Sequence, residues 1–208
     1  MDNIQTSIFQ IVVLILSVVI HEVAHGVVAL KLGDETAKNA GRLTLNPLAH
    51  IDPVGSVFLP LTLVLIRSPF LIGWAKPVPY NPLNLHKDYK YGPVKVALAG
   101  PGTNLGIAII MGLIIRVFGL ALGSVTVALL VQIVFINVLL AVFNLVPVPP
   151  LDGSKILTLF LPARYSYVLQ SVGTGGILFV FLFLYLFSGI VFSITNLLAS
   201  LIIGLPLS

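Results

Sequence analysis

From Ile8 to Leu32 the chain is an almost unbroken apolar run, and inside it stand two histidines and a glutamate, His21-Glu22-Val23-Ala24-His25. A run of that kind leaves few structural options. In lipid every backbone N–H and C=O must be bonded internally, so a lone spanning segment is a helix. About 20 residues at roughly 1.5 Å each cross the hydrocarbon. Ionisable groups at such depth are costly unless they bind an ion or one another. On a helix the two imidazoles, four residues apart, share a face and can grip a zinc ion, while Glu22 can take a proton from water at that ion. The plainer alternative is a polar contact between packed helices. Met1-Asp2-Asn3 offers no basic n-region and no small-residue cleavage pattern precedes His21. The run is therefore expected to remain as a transmembrane helix and not to be removed as a signal peptide.

Composition sets the environment. Of 208 residues, 58% are hydrophobic and 9% charged, against roughly 25% charged in a soluble domain. The expected fold class is an all-α polytopic membrane protein. Cysteine is absent, which excludes disulfides, thiolate zinc sites and cysteine nucleophiles and leaves His, Asp and Glu as metal ligands.

Core spans are expected at about 8–32, 95–120 and 121–146, with one or two segments within 173–205. As one straight helix the last stretch would be roughly 50 Å long, so a break at Ser188-Gly189 is favoured, giving one definite span and a final interfacial or returning segment. Val54 to Ile66 is apolar but short, and Pro47, Pro53, Pro60, Pro69, Pro77, Pro79 and Pro82 surround it. Lys31, Lys38, Arg42, Arg67, Lys76, Lys87, Lys90 and Lys95 all fall between the first span and the next. Basic residues collect on the cytoplasmic side. A re-entrant or β-like loop at 54–66 keeps them together, whereas a short transmembrane helix would divide them. The N-terminus is then outside, the Gly119–Ser124 turn outside, and Lys155 and Arg164 inside.

The same parity brings a distant part of the chain to the histidines. The helix ending near Val146 carries Asn144 and leads into Pro147-Val148-Pro149-Pro150-Leu151-Asp152-Gly153. Asp152 becomes the natural third ligand of a two-histidine, one-carboxylate zinc site with a position open for water, the arrangement hydrolysis requires. An Asp-Gly turn held by its own backbone is the alternative.

Together His21-Glu22-Val23-Ala24-His25-Gly26, Ala99-Gly100-Pro101-Gly102-Thr103-Asn104 and Asn144 through Gly153 resemble the site-2 protease family of intramembrane zinc metalloproteases. Gly41 through Gly55, with Gly73-Trp74-Ala75-Lys76-Pro77-Val78-Pro79-Tyr80-Asn81-Pro82, further resembles its compact prokaryotic branch. The resemblance implies one membrane-embedded metalloprotease domain over 1–208 with a site-2-protease-like core, in a prokaryotic cell (inner) membrane. It implies one zinc ion held by His21, His25 and Asp152, Glu22 as catalytic base, and a transmembrane protein or membrane peptide as substrate. Asn144 matches a polar residue near the family's active centre, a candidate for substrate or oxyanion support. Asn104 is a second candidate, with helix packing an equal alternative. No inserted peptide-binding domain fits in Gly119–Ser124, so selection is expected to rest on the membrane core, its loops, a homo-oligomer or a regulatory membrane partner.

Other residues are read more plainly. His50 and Asp52 suit a hydrogen-bonded turn better than a second metal site, His86 a solvated loop, and Trp74 an interfacial anchor. The net charge of +4 is accounted for by topology and by contact with the lipid bilayer, so no nucleic-acid partner is needed. A membrane metal-ion transporter and an inactive zinc-binding scaffold are the alternative functions; a transporter would need more polar residues along both halves of its route.

Overall fold

The computed structural model describes residues 3–58, 61–62, 65, 74–162, 164 and 173–206. Four helices are long and apolar enough to cross a membrane. They are α1 (Asn3–Lys31), α2 (Gly92–Phe118), α3 (Ser124–Asn144) and, after the short α4 (Asp152–Leu157), α5 (Ile177–Ile203). Among the described residues there is no β-strand. The chain is a multi-pass, all-helical membrane protein.

The helix order follows from the contacts. α2 lies between α1 and α3, and α5 packs on α3 and α2. Going back along α1 from His25 to His21, the partners on α2 move forward from Val96 to Asn104, so these helices are antiparallel. Ser17 of α1 meets Asn137 of α3, while the chain beyond the end of α3 reaches the histidines, so α1 and α3 run the same way.

Close approach is achieved with small side chains, as expected where lipid is as apolar as leucine and no hydrophobic drive separates the two. Ala108, Val134, Val138 and Ala199 form a fully buried seam with Ile115 and Ile203. A Cβ at Gly112 would strike the Ile202 side chain and backbone. Arg116 donates from Nε to Ile202 O at 2.8 Å and through its guanidinium to Leu201 O, covering carbonyls that the end of α5 leaves unpaired. Gly204 then closes α5 in the left-handed region, φ 83°. By contrast Ile4, Ile8, Ile11, Leu182, Leu186 and Leu197 face outward, the surface a bilayer would cover.

One expectation meets a different outcome. α5 continues unbroken through Ser188-Gly189; one glycine costs a helix only about 1 kcal/mol, less than leaving backbone groups unpaired at membrane depth. Its 27 residues leave Gly173–Gly176 to a 3-10 turn. Of the stretch 54–66, the beginning lies in a π-helical turn, Pro53–Phe58. Most of the remainder lies outside the described residues, and with it the choice between dipping and crossing.

The loop after this stretch is tied back to α1. Asp34, with no accessible surface, accepts from Thr36 N and Oγ1, from Asn81 N at 2.7 Å and from Asn84 Nδ2 at 3.1 Å. Lys87 caps the helix end, donating from N to Leu32 O and from Nζ to Lys31 O. These bonds carry residues 74–81 alongside the histidine end of α1. Burial alone would raise the Asp34 carboxyl, but the bonds from Thr36, Asn81 and Asn84 outweigh it and hold it below its ordinary value.

Asp34→Ala should therefore destabilise the protein by ~1–3 kcal/mol, the cost of stranding buried donors, seen as a lower midpoint of thermal unfolding in detergent. Because the folded-state carboxyl is depressed, its contribution is complete above the unfolded value of about 3.9 and disappears as pH falls through the folded value. Between neutral pH and about pH 3, wild type should lose more of its unfolding midpoint than Asp34→Ala loses.

Candidate active site

His21 and His25 project from one face of α1 toward α2, with Nε2 atoms 3.0 Å apart. Both are buried. Each ring is held from behind: His21 Nδ1 donates to Asn104 Oδ1 at 2.6 Å, and His25 Nδ1 donates to Val96 O at 2.6 Å. Both acceptors lie on α2, where Pro101 leaves the carbonyl of Ala97, four residues earlier, without its helical N–H partner.

The third group arrives from the loop after α3. Gly153 lies so close to the end of α3 that a Cβ would strike Leu145 O and Val146 O, and Ser154 Oγ donates to Leu151 O at 2.6 Å. This sharp return aims buried Asp152 at the imidazoles. Its Oδ2 lies 3.1 Å from His21 Nε2 and 3.0 Å from His25 Nε2. Lys155 Nζ donates to the other oxygen, Oδ1, at 2.9 Å, so the two carboxylate oxygens have separate partners.

This donor set fits a metal. Asn104 Oδ1 and Val96 O can only accept, so the Nδ1 atoms carry protons, and in the neutral form of each imidazole that leaves the Nε2 lone pair free for a metal. Two such lone pairs and a carboxylate oxygen converge within 3.1 Å. Zinc bonded tetrahedrally at 2.0–2.2 Å would separate neighbouring ligand atoms by roughly 3.3 Å, close to what is found. The pocket is shaped on its α2 side by Gly100, where a Cβ would lie 2.5 Å from the Nε2 atoms of both histidines.

Glu22 stands beside this triangle. Ligand atoms of His21, Glu22 and His25 all lie within 4.8 Å of one another. Its Oε2 accepts from Val78 N at 2.8 Å, a bond that residues 74–81 reach because Asp34 anchors them. Asn144, at the end of α3, donates from Nδ2 to Leu140 O and is half-buried. Asn104 is fully buried behind His21, with its amide nitrogen bonded to Asn137 Oδ1 and Ser17 O; it touches the histidine and the helix core.

The residues read as structural sit apart from this centre. His50 Nε2 donates to Thr44 O. Asp52 Oδ1 accepts from Val54 N and Gly55 N, a turn carboxylate. His86 pairs with Tyr89 in an exposed loop. Trp74 is 37% exposed and packs where a Gly55 Cβ would be. Sequence reasoning missed Asn137 and the pairing of Lys155 with Asp152; it expected close helix approach at Ala99-Gly100, and the structure shows that the group approached there is the pair of imidazoles. Asn137 had a signal, since an amide inside an apolar helix is costly without a purpose.

The sequence profile described as peptidase family M50 matches residues 119–188. A Bacillus subtilis protein named "Putative zinc metalloprotease YwhC" is 37% identical over 183 residues, covering 84% of this chain and 80% of its own. The chain belongs to peptidase family M50. This M50 peptidase, of site-2 protease type, is also 32% identical to Rip2 of Mycolicibacterium smegmatis over 139 residues, 67% of this chain and 52% of that one. Zinc metalloprotease MJ0392 of Methanocaldococcus jannaschii is 26% identical over 157 residues, 76% of this chain and 35% of its own. The latter two are longer proteins of which the chain spans about half or less. No solved structure matches. Family and relatives make the chain a protease that uses zinc, in agreement with the donor set.

Gly100→Ala in this M50 peptidase should push the imidazoles apart and cut the zinc retained on purification, measured by elemental analysis. Gly102→Ala, two residues on and with no neighbour within 4 Å of its Cβ position, should retain zinc as wild type does.

Proposed function

We propose that the chain is an endopeptidase that hydrolyses peptide bonds of transmembrane substrates within the membrane, with His21, His25 and Asp152 as zinc ligands and Glu22 as general base. The observation that carries this reading is the convergence of three acceptor atoms, within 3.1 Å of one another, beside Glu22. Zinc, when bound, supplies the Lewis acidity that makes water a nucleophile near neutral pH and polarises a carbonyl. The remaining work falls to the chain. Val78 N–H holds Glu22 Oε2, leaving Oε1 to accept a proton from the attacking water and return it to the leaving amine. Lys155 keeps Asp152 Oδ1 occupied, so that Oδ2 alone faces the histidines and room is left for water and substrate.

A substrate helix hides its carbonyls in its own hydrogen bonds, so the scissile segment must unwind before attack. The non-helical stretch 74–81 beside Glu22 offers a backbone edge along which an extended segment could bind. Asn144, near the end of α3, is the candidate to hold substrate backbone or the developing oxyanion. We read the whole chain, 1–208, as a single such domain. The site opens toward the cytoplasm: Lys31, Lys38, Arg42, Lys76, Lys87, Lys90, Lys95 and Lys155 gather at the histidine end, and among the described residues of the helices Arg116 marks the other. Release of a membrane-tethered regulator, or removal of membrane-peptide remnants, would be served by such an activity.

Reconstituted in liposomes with a transmembrane peptide, wild type should cleave it at bonds mapped by mass spectrometry. Glu22→Gln should keep its zinc yet lose cleavage by at least ~10²–10⁴-fold, the range of general-base contributions. Zinc flux across the liposomes without cleavage would replace the protease by the transporter.

A further inference from the structure

Behind His21 lies a chain of buried amides that the proton chemistry described above does not use. Asn137 of α3 donates from Nδ2 to Ile133 O at 2.9 Å and to Ser17 Oγ at 3.0 Å. Ile133 O can only accept, so the amide nitrogen must face it and Asn137 Oδ1 must face the other way. There it accepts from Asn104 Nδ2 at 2.9 Å, and Asn104 Nδ2 also points at Ser17 O, 3.4 Å away. Asn104 Oδ1 is thereby turned to His21 Nδ1, 2.6 Å away. An oxygen at that place requires the proton on Nδ1 and leaves Nε2 bare.

We infer that Asn137 is a positioning residue that fixes, through Asn104, the tautomer of His21 and so keeps the His21 Nε2 lone pair aimed at the metal site. The two imidazoles differ in what they need. His25 is oriented by a backbone carbonyl, which has one chemical face. His21 is oriented by a side-chain amide, which would present N–H₂ if it turned over. His21 would then carry its proton on Nε2 and donate it to Asp152 Oδ2, 3.1 Å away, a closed hydrogen bond that competes with zinc for both groups. Asn104 and Asn137 have no accessible surface and Ser17 only 4%, so solvent cannot make good a wrong orientation. Three helices must be in register for the relay to work, since Ser17 is on α1, Asn104 on α2 and Asn137 on α3.

The inference rests on the reading of His21 as a zinc ligand, and the test separates the two. Imidazole ¹⁵N shifts of the metal-free, full-length protein in detergent, at about pH 8 where free imidazole is neutral, report the tautomer. Chelator competition reports zinc affinity. Wild-type His21 should carry its proton on Nδ1. Asn137→Leu should give mixed tautomers at His21, leave His25 unchanged, and weaken zinc binding ~10–100-fold, the usual cost of losing a partner behind a metal ligand. Asn104→Asp combined with Asn137→Leu should recover most of that loss, because both carboxylate oxygens accept and no orientation is required. A purely structural Asn137 predicts that the double variant is worse than the single.

A wild-type His21 protonated on Nε2 would overturn the relay, and needs no variant to fold. So would an Asn137→Leu protein with wild-type tautomer and affinity, or a double variant no better than Asn137→Leu. If His21→Ala binds zinc as tightly as wild type, the ligand assignment fails, and the tautomer spectra still decide the relay.

Discussion

With both imidazoles neutral and protonated on Nδ1, three acceptor atoms face one another across about 3 Å in a space walled by apolar helices, and the rest of the molecule is organised around that unfavourable meeting. Lone pairs so placed repel, and burial removes the water that would screen them. A divalent cation converts the same arrangement into coordination. On the proposed ligand set, the chain's zinc dependence has its physical root in how α1, α2 and the loop after α3 are made to meet, and each contact behind the site maintains that meeting.

What permits the approach is the near absence of side-chain bulk. Gly100 lets α2 lie against both imidazoles, Gly153 folds the Asp152 loop onto the end of α3, and Gly112 brings α5 against α2. In a bilayer such contacts are gained through van der Waals packing and buried polar bonds, with little hydrophobic drive between helices. The amides of Asn104 and Asn137 supply the polar part of that cohesion between α1, α2 and α3. They share the burial of the proposed ligands, so on that reading cohesion and metal geometry depend on the same few bonds.

On the proposed cytoplasmic side the constraint is different, because the chain must leave the helices and still return to the site. Asp34 draws Thr36, Asn81 and Asn84 onto one buried carboxylate, and Lys87 caps α1. Val78 then reaches Glu22. Proline on either side of Val78 means that neither neighbour has an N–H to offer, so the bond to Glu22 is made by that residue alone.

Helix content and the histidine face were legible in the sequence because both depend on local properties, the length of an apolar run and the spacing of two residues. The proximity of Asp152 could be read from the parity of the spans and from family resemblance. The break expected at Ser188-Gly189 misjudged how little a single glycine weighs within an apolar spanning helix. The roles of Gly100, Asn137, Lys155 and the Val78 N–H were settled only in three dimensions. They depend on the rotation of each helix about its axis and on loop return. An apolar sequence leaves that rotation unmarked, since lipid and neighbouring helices ask for the same side chains. By itself the sequence determined that helices would span a membrane and carry a histidine pair beside a glutamate. Tertiary structure decided which backbone, amide and ammonium groups stand behind them, because those partners come from distant segments.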